Sequence, residues 1–308
     1  MFKFNFEVEP ESPSDPEAVK SPFVDKQEGD TEESQATDIK VIEWYHAERV
    51  KPIDNLISIL DFYELNAKER EVGKTKIRHL VAGFLLEDIK AQTHLDIKKA
   101  EENHSDLIAG VYEGGAKIWE CTDDLLLYLS EKYEDNSFWK GKRVLDLGCG
   151  SGLLGIYAIK MGAQVDFQDY NKDVLEYITY PNILLNADES LSDDEKLEFL
   201  ENQTCLYAGD WSHFSLLTKD LDKYDLILTS ETIYNIDNQK KLLETFAGRL
   251  KPDGIVLVAA KSHYFGVGGG LEQFTHKIKM EKVFQTENVW QAEENLKRGI
   301  LQLKFKES

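Results

Sequence analysis

From residue 104 onward, short apolar runs alternate with stretches long enough for helices. That pattern builds a parallel sheet wound with helices. The runs Arg143–Leu147, Gln164–Gln168, Thr204–Ala208, Asp225–Thr229 and Gly254–Ala260 predict five strands, with helices beginning near Leu153, Lys172, Ser212 and Asp237. Lys282–Val289 and Gly299–Phe305 predict two more, an antiparallel pair closing the sheet. Residues 39–103 read differently. They are rich in helix formers, and Leu56, Ile59, Leu60 and Tyr63 fall at helical spacing, so a helical N-terminal region is expected there. Gly73-Lys74-Thr75 is not the end of a phosphate-binding loop, because the first glycine of that motif would fall on Lys68.

The first 38 residues hold four of the seven prolines, with 11 acidic and 3 basic residues. Such a stretch buries too little apolar area to offset its ordering entropy, which predicts a mostly disordered acidic tail. Phe2, Phe4 and Phe6 alternate within it and fit a short strand or an extended docking segment. The expected division is therefore an acidic tail over 1–38, a helical region over 39–103 and an α/β domain over 104–308.

Charge narrows the partners. Across 308 residues, 36 Lys and Arg stand against 57 Asp and Glu, a net charge of −21. Phosphate contacts need clustered cations, so direct nucleic-acid binding is not expected and a basic protein partner is. The longest apolar runs, such as Val256–Ala260, stop far short of the ~20 residues of a membrane span, and Met1–Phe6 lacks the pattern of a secretory signal. Cys121, Cys149 and Cys205 form no C-x-x-C pair, which suggests a reducing compartment without disulfides or structural zinc. The seven histidines include no H-x-x-x-H pair, so no metal is expected.

The most specific stretch runs from Val144 to Gly155, a strand entering glycines and then a helix. Glycines let a ligand approach the main chain, and the helix start presents free N–H groups. Gly150, Gly152 and Gly155 satisfy the dinucleotide pattern G-x-G-x-x-G, while Asp146 to Gly152 satisfies D-x-G-x-G-x-G. Asp146 separates the two: a carboxylate before the loop repels a pyrophosphate but favours the ammonium and sulfonium charges of S-adenosylmethionine. A dinucleotide-dependent dehydrogenase remains the alternative. Its Y-x-x-x-K pair occurs as Tyr128 and Lys132, upstream of the loop rather than downstream. Asp169 ends the second strand, where an acid can bind ribose hydroxyls. Asp210 and Trp211 end the third, where an acid can accept from an adenine amino group and an aromatic can cover its ring. An acid at a strand end can equally be a helix cap.

Four stretches then carry a resemblance: His104–Ile108 with Gly110–Gly115, Lys117–Thr122, Leu228–Asn235 and Lys261–Gly270. Through them the chain resembles the seven-β-strand methyltransferases, and more narrowly the protein-histidine methyltransferases of the methyltransferase-like group. Phe2–Phe6 is similar to that family's N-terminus. The resemblance implies an α/β fold, a Rossmann-like seven-stranded class I methyltransferase sheet, here with an N-terminal helical extension. It implies methylation, by S-adenosylmethionine, of a ring nitrogen of one histidine in a large-subunit ribosomal protein, the third in the standard naming, with S-adenosylhomocysteine as product. It also implies a cofactor wall of Ile118, Trp119, Glu120, Cys121, Thr122, Gly148, Gln168, Asp169, Tyr170, Gly209, Asp210, Trp211 and Ser230. A monomer in cytoplasm and nucleus is expected.

Glu231 and Tyr234 are three apart beyond the fourth strand, so one helical turn would aim both at the substrate. Related enzymes that modify lysine carry D-x-x-Y here. Glu231 is the first candidate to accept the N–H of a substrate imidazole, with Tyr234 and Asn235 as orienting groups. The loop from Ser262 to Gly270 holds four glycines in nine residues and could fold over a substrate peptide, with His263 or Tyr264 in contact. Lysine or arginine as the target, or a non-catalytic assembly factor for a ribosomal protein, are the competing readings.

Overall fold

A computed structural model describes residues 44–81, 96, 98–99, 107–108, 110–292 and 297–307. The acidic tail with its alternating phenylalanines and the stretch from His104 to Asp106 lie outside the described residues.

The main sheet has eight strands. Those that alternation predicts are β4 (Arg143–Leu147), β5 (Gln164–Asp169), β6 (Thr204–Ala208), β7 (Tyr224–Ser230) and β8 (Leu250–Lys261), all parallel. β9 (Phe284–Gln291) and β10 (Arg298–Phe305) form the expected antiparallel pair, with β10 also antiparallel to β8. The eighth, β1 (Glu48–Val50), pairs antiparallel with β6 at the far edge. The spatial order is β1-β6-β5-β4-β7-β8-β10-β9. The chain thus winds outward from β4 in one direction and then, from β7, in the other. That switch point opens a crevice at the carboxyl ends of β4 and β7.

Period two sets the two faces of the sheet. Val144, Leu226, Leu228 and Leu257 belong to one buried cluster, and Leu145, Leu147, Ile227 and Val256 to the other. Asp146 shares the face of Val144, against the helix Leu153–Lys160. The helix expected near Lys172 begins there and contains a π turn at Leu175–Thr179, and the one expected near Ser212 begins at Trp211.

Over residues 44–81 the N-terminal region departs from the helical reading, while the described residues Asp96, Lys98 and Lys99 are helical. Within 44–81 the α-helix is limited to Leu60–Leu65, and Ala67–Val72 (β2) pairs with Thr75–Leu80 (β3) in a hairpin. Helix propensity is a weak prior that tertiary context overrides. Ile77 and Leu80 are buried, and the hairpin is tied to the domain through Asn182 and Asn186. The Leu80 N–H donates to Asn182 Oδ1 at 2.8 Å, and the Arg78 N–H to Asn186 Oδ1 at 2.9 Å.

Candidate active site

The crevice is a cleft of about 890 Å³, counting its open mouth. Its floor is the glycine loop after β4. Gly150 has φ of 50°, and a Cβ there would lie 2.7 Å from Gly115 O, so only glycine admits the segment that covers the loop. The loop carbonyls are pinned from the π-turn helix: Thr179 Oγ1 donates to Gly150 O at 2.6 Å, and Asn182 Nδ2 to Ser151 O at 2.8 Å.

Asp146 is buried. Its Oδ2 accepts from the Gly155 N–H at 2.8 Å, and its Oδ1 has no partner although Asp146 lines the cleft. Burial pushes its carboxyl up to about 8; the Gly155 bond pulls the other way, and the nearby Asp169 charge adds to the rise. A buried acceptor without a partner fits a ligand that brings a cation or a donor. Asp169 follows at the end of β5. Its Oδ2 accepts from the Gly150 N–H at 2.8 Å, and burial pushes it up to about 6. Tyr170, Gly209 and Trp211 line the same end of the cleft. Together these groups fit S-adenosylmethionine, with a cationic end at Asp146 and a nucleoside end among the aromatics.

Asp210, expected to accept from an adenine amino group, lines the cleft with both carboxylate oxygens engaged. Its Oδ1 caps the following helix through the Ser212 N–H at 2.9 Å, and its Oδ2 pairs with Lys241 Nζ at 2.6 Å. Gln168 is buried beneath the site: its Nε2 donates to Gly209 O at 2.7 Å and its Oε1 accepts from Trp211 Nε1 at 3.0 Å. Gly152 caps the helix start behind the loop.

Ile118, Trp119, Thr122, Gly148 and Ser230 line the cleft. Thr122 Oγ1 donates to Ser230 Oγ at 3.2 Å, and Trp119 Nε1 donates to Gly114 O at 3.1 Å. Glu120 and Cys121 do not line it. Glu120 turns outward to Lys261 Nζ at 2.9 Å, which holds its carboxyl below the usual range. Cys121 is buried behind the wall, and burial together with the Glu231 carboxylate pushes its thiol up.

At the other end stand Glu231 and Tyr234, brought together without the expected helical turn. Glu231 is in the left-handed region at φ 59°, the segment after it is irregular, and the helix begins only at Gln239. Glu231 is buried; Oε2 accepts from the Tyr264 hydroxyl and Oε1 has no partner. The Tyr234 hydroxyl donates to Glu113 Oε2, and burial next to that carboxylate pushes the phenol well above its ordinary value. Asn235 stands away from the cleft, its Oδ1 accepting from the Asp237 N–H at 3.0 Å. His263 is exposed and packs edge-on to Phe265, also away from the cleft. From that loop it is Tyr264 that reaches inward.

Sequence reading missed Trp44, Glu113, Thr232 and Asn238, all of which line the cleft. Glu113 lies in a stretch that carries the resemblance, and the two glycines after it were a usable signal. Nothing local marks Trp44. Among the described residues, no group of three or more His, Cys, Asp or Glu could hold a metal ion, and no helix is long and apolar enough to cross a membrane.

A family model described as "Lysine methyltransferase" matches residues 93–279, more than half of the chain. The chain belongs to this methyltransferase family. The histidine protein methyltransferase 1 homolog of Bos taurus is 45% identical over 229 residues, covering 68% of this chain and 60% of that protein. The homolog of Mus musculus is 46% identical over 226 residues, with 68% and 62% covered. The chain thus spans about three fifths of the length of these curated relatives. Among solved structures, a TehB-like SAM-dependent methyltransferase from Corynebacterium glutamicum is 15% identical, with 73% of this chain and 100% of that chain covered and a TM-score of 0.41. In this member of the family the glycine loop, the three strand ends and the Glu231–Tyr234 segment all meet in one cleft.

Proposed function

We propose that the chain is an S-adenosylmethionine-dependent protein-histidine methyltransferase whose substrate is a large-subunit ribosomal protein, the third in the standard naming. The observation that carries this reading is Glu231, a buried residue of the cleft lining whose Oε1 has no hydrogen-bond partner. The names of the Bos taurus and Mus musculus relatives, histidine protein methyltransferase 1 homologs, support histidine as the target.

Bound in the cleft, S-adenosylmethionine supplies an electrophilic methyl carbon on sulfur and leaves as S-adenosylhomocysteine. Asp146 Oδ1 accepts from or pairs with the cationic end, and Asp169 offers its carboxylate to ribose hydroxyls. The rest of the work is positioning, since in-line attack needs a lone pair about 3–3.5 Å from the methyl carbon. A histidine with a free pKa near ~6.5 is mostly neutral at pH 7 and carries one unprotonated ring nitrogen. Glu231 Oε1 accepts the N–H of the far nitrogen. That selects the tautomer and stabilises the charge that grows on the ring as the N–C bond forms and the S–C bond breaks. The same carboxylate beside a lysine would favour the ammonium form, yet related enzymes that modify lysine carry an aspartate at this position, so the choice of histidine over lysine rests on the names of the relatives. The net charge of −21 supports a basic protein substrate. The proposal extends to a monomer acting in cytoplasm and nucleus, a reducing setting that suits three free thiols.

The test is transfer of a labelled methyl group to the recombinant ribosomal protein, with each of its histidines changed to alanine in turn. Label lost with one histidine change and with Asp146→Ala in the enzyme supports the reading. Label that survives every histidine change sinks it.

A further inference from the structure

The nucleoside end of the cleft is closed by a segment far from the glycine loop in sequence. β1 runs along β6, Glu48 opposite Ala208 and Val50 opposite Leu206, and the residues before β1 cross the end of β6. Tyr45 O accepts from the Asp210 N–H at 3.0 Å. The Tyr45 N–H donates to the Tyr170 hydroxyl at 3.2 Å, and the two rings stack with centroids 4.9 Å apart. Gly209 has φ of 108°, and a Cβ there would lie 2.5 Å from His46 O, so the glycine admits the crossing. These anchors hold Trp44 at the cleft, edge-on to Tyr170 at 5.9 Å, with Lys241 Nζ 3.6 Å from its ring centroid.

Asp210, the acid expected to read a nucleobase, is committed to a helix cap and to Lys241. Trp44, Tyr170 and Trp211 line that end of the cleft beside it, and flat faces hold a planar ring by stacking.

We propose that Trp44 is a binding residue for the nucleoside of the methyl donor, so that the ligand site extends to a segment outside residues 93–279, the stretch the family model matches. The inference rests on the assignment of the cleft to S-adenosylmethionine. Base stacking on an aromatic side chain is strong enough that its loss weakens binding about tenfold or more.

The test is calorimetric titration of S-adenosylhomocysteine into the full chain, alongside thermal melting of each variant. Trp44→Ala and Trp44→Leu are expected to weaken binding about tenfold, and Trp44→Phe to recover most of the loss. His46→Ala, whose ring stacks on His213 at 4.5 Å and does not line the cleft, is expected to bind as the wild type does. Should Trp44→Ala fail to fold, the Leu and Phe variants decide, since both keep apolar bulk and only one keeps a π face. Wild-type affinity in Trp44→Leu, or equal losses in the Leu and Phe variants, overturns the proposal. A wild-type protein that binds no S-adenosylhomocysteine defeats the cofactor reading itself, and this one with it.

Discussion

The Tyr264 hydroxyl donates to Glu231 Oε2 from 33 residues further along the chain. The bond fixes one carboxylate oxygen and leaves the other, Oε1, unpartnered. Cys121 packs beside the same carboxylate, and Lys261, which burial pulls down, is raised overall by its hydrogen bond to Glu120 and by the Glu231 charge. Tyr264 is thus a positioning residue. Glu231 is the group that would meet a substrate imidazole.

Tyr264→Phe removes one hydrogen bond to a charged group, worth about 1.5–3 kcal/mol, and keeps the ring. The expected result is a fall in kcat of about tenfold or more. Glu231→Gln lowers kcat as well, and Tyr264→Phe adds little in that background because its partner has changed. Steady-state kinetics on the two single variants and the double variant measure the coupling. Full additivity would mean that Tyr264 does not act through Glu231.

Asp146 gives the free protein and its complex opposite responses to pH. Burial raises its carboxyl from the usual range to about 8. The stability this contributes to the free protein is therefore full in acid, below the unfolded value near ~4, and is lost as pH rises through about 8. Ligand binding gains from the ionised form. Affinity for S-adenosylhomocysteine should accordingly rise between about pH 6 and 8.5, with a smaller step lower down from Asp169, which sits near about 6. Asp146→Asn should bind more weakly at about pH 8.5, flatten the pH dependence, and melt higher than the wild type when free. Wild-type affinity that is flat over this range would contradict the assignment of Asp146 to the cationic end.

Two glycines should respond with opposite signs to the same substitution. Gly150→Ala places a Cβ 2.7 Å from Gly115 O at φ 50°, so it should cost about 1–3 kcal/mol, lower the melting temperature by several degrees and impair cofactor binding. Gly248 lies inside the helix Gln239–Arg249, and a Cβ there meets nothing within 4 Å. Gly248→Ala should stabilise by roughly 0.5–1 kcal/mol. Thermal melts of both variants check the pair.

With a net charge of −21, the protein should attract over long range the basic ribosomal protein proposed as its substrate. Raising salt from about 50 to 300 mM should weaken substrate binding severalfold, mainly through the association rate. Affinity indifferent to ionic strength would rule out electrostatic steering.

The sheet and the floor of the cleft were legible because both rest on short-range pattern. Alternation in Arg143–Leu147 marks a strand, and Asp146 to Gly152 marks the glycine turn into the next helix. A parallel order then brings Asp169, Asp210 and Ser230 to one edge of the sheet. The parts that were not legible depend on contacts between distant residues. Trp44 reaches the cleft because β1 pairs with a strand some 160 residues away. Asp210 is paired with Lys241, on the helix after β7, a contact that no local pattern announces. The hairpin over Ala67–Leu80 is rich in Lys, Glu and Arg, which favour helices in isolation, and its strand pairing is settled by packing against Asn182 and Asn186. In the Ser262–Gly270 loop, composition does not tell which of two adjacent rings turns inward; the structure places Tyr264 on Glu231 and leaves His263 in solvent.

The most direct measurement is amino-acid analysis of the labelled substrate after complete hydrolysis, once the large-subunit ribosomal protein has reacted with radiolabelled S-adenosylmethionine and either the wild-type enzyme or Glu231→Gln. The expected result is label in methylhistidine, formed at a rate that falls at least about tenfold in the variant. Label in methyllysine, or methylhistidine formed equally fast by both proteins, would contradict the role given to Glu231 and to the cleft around it.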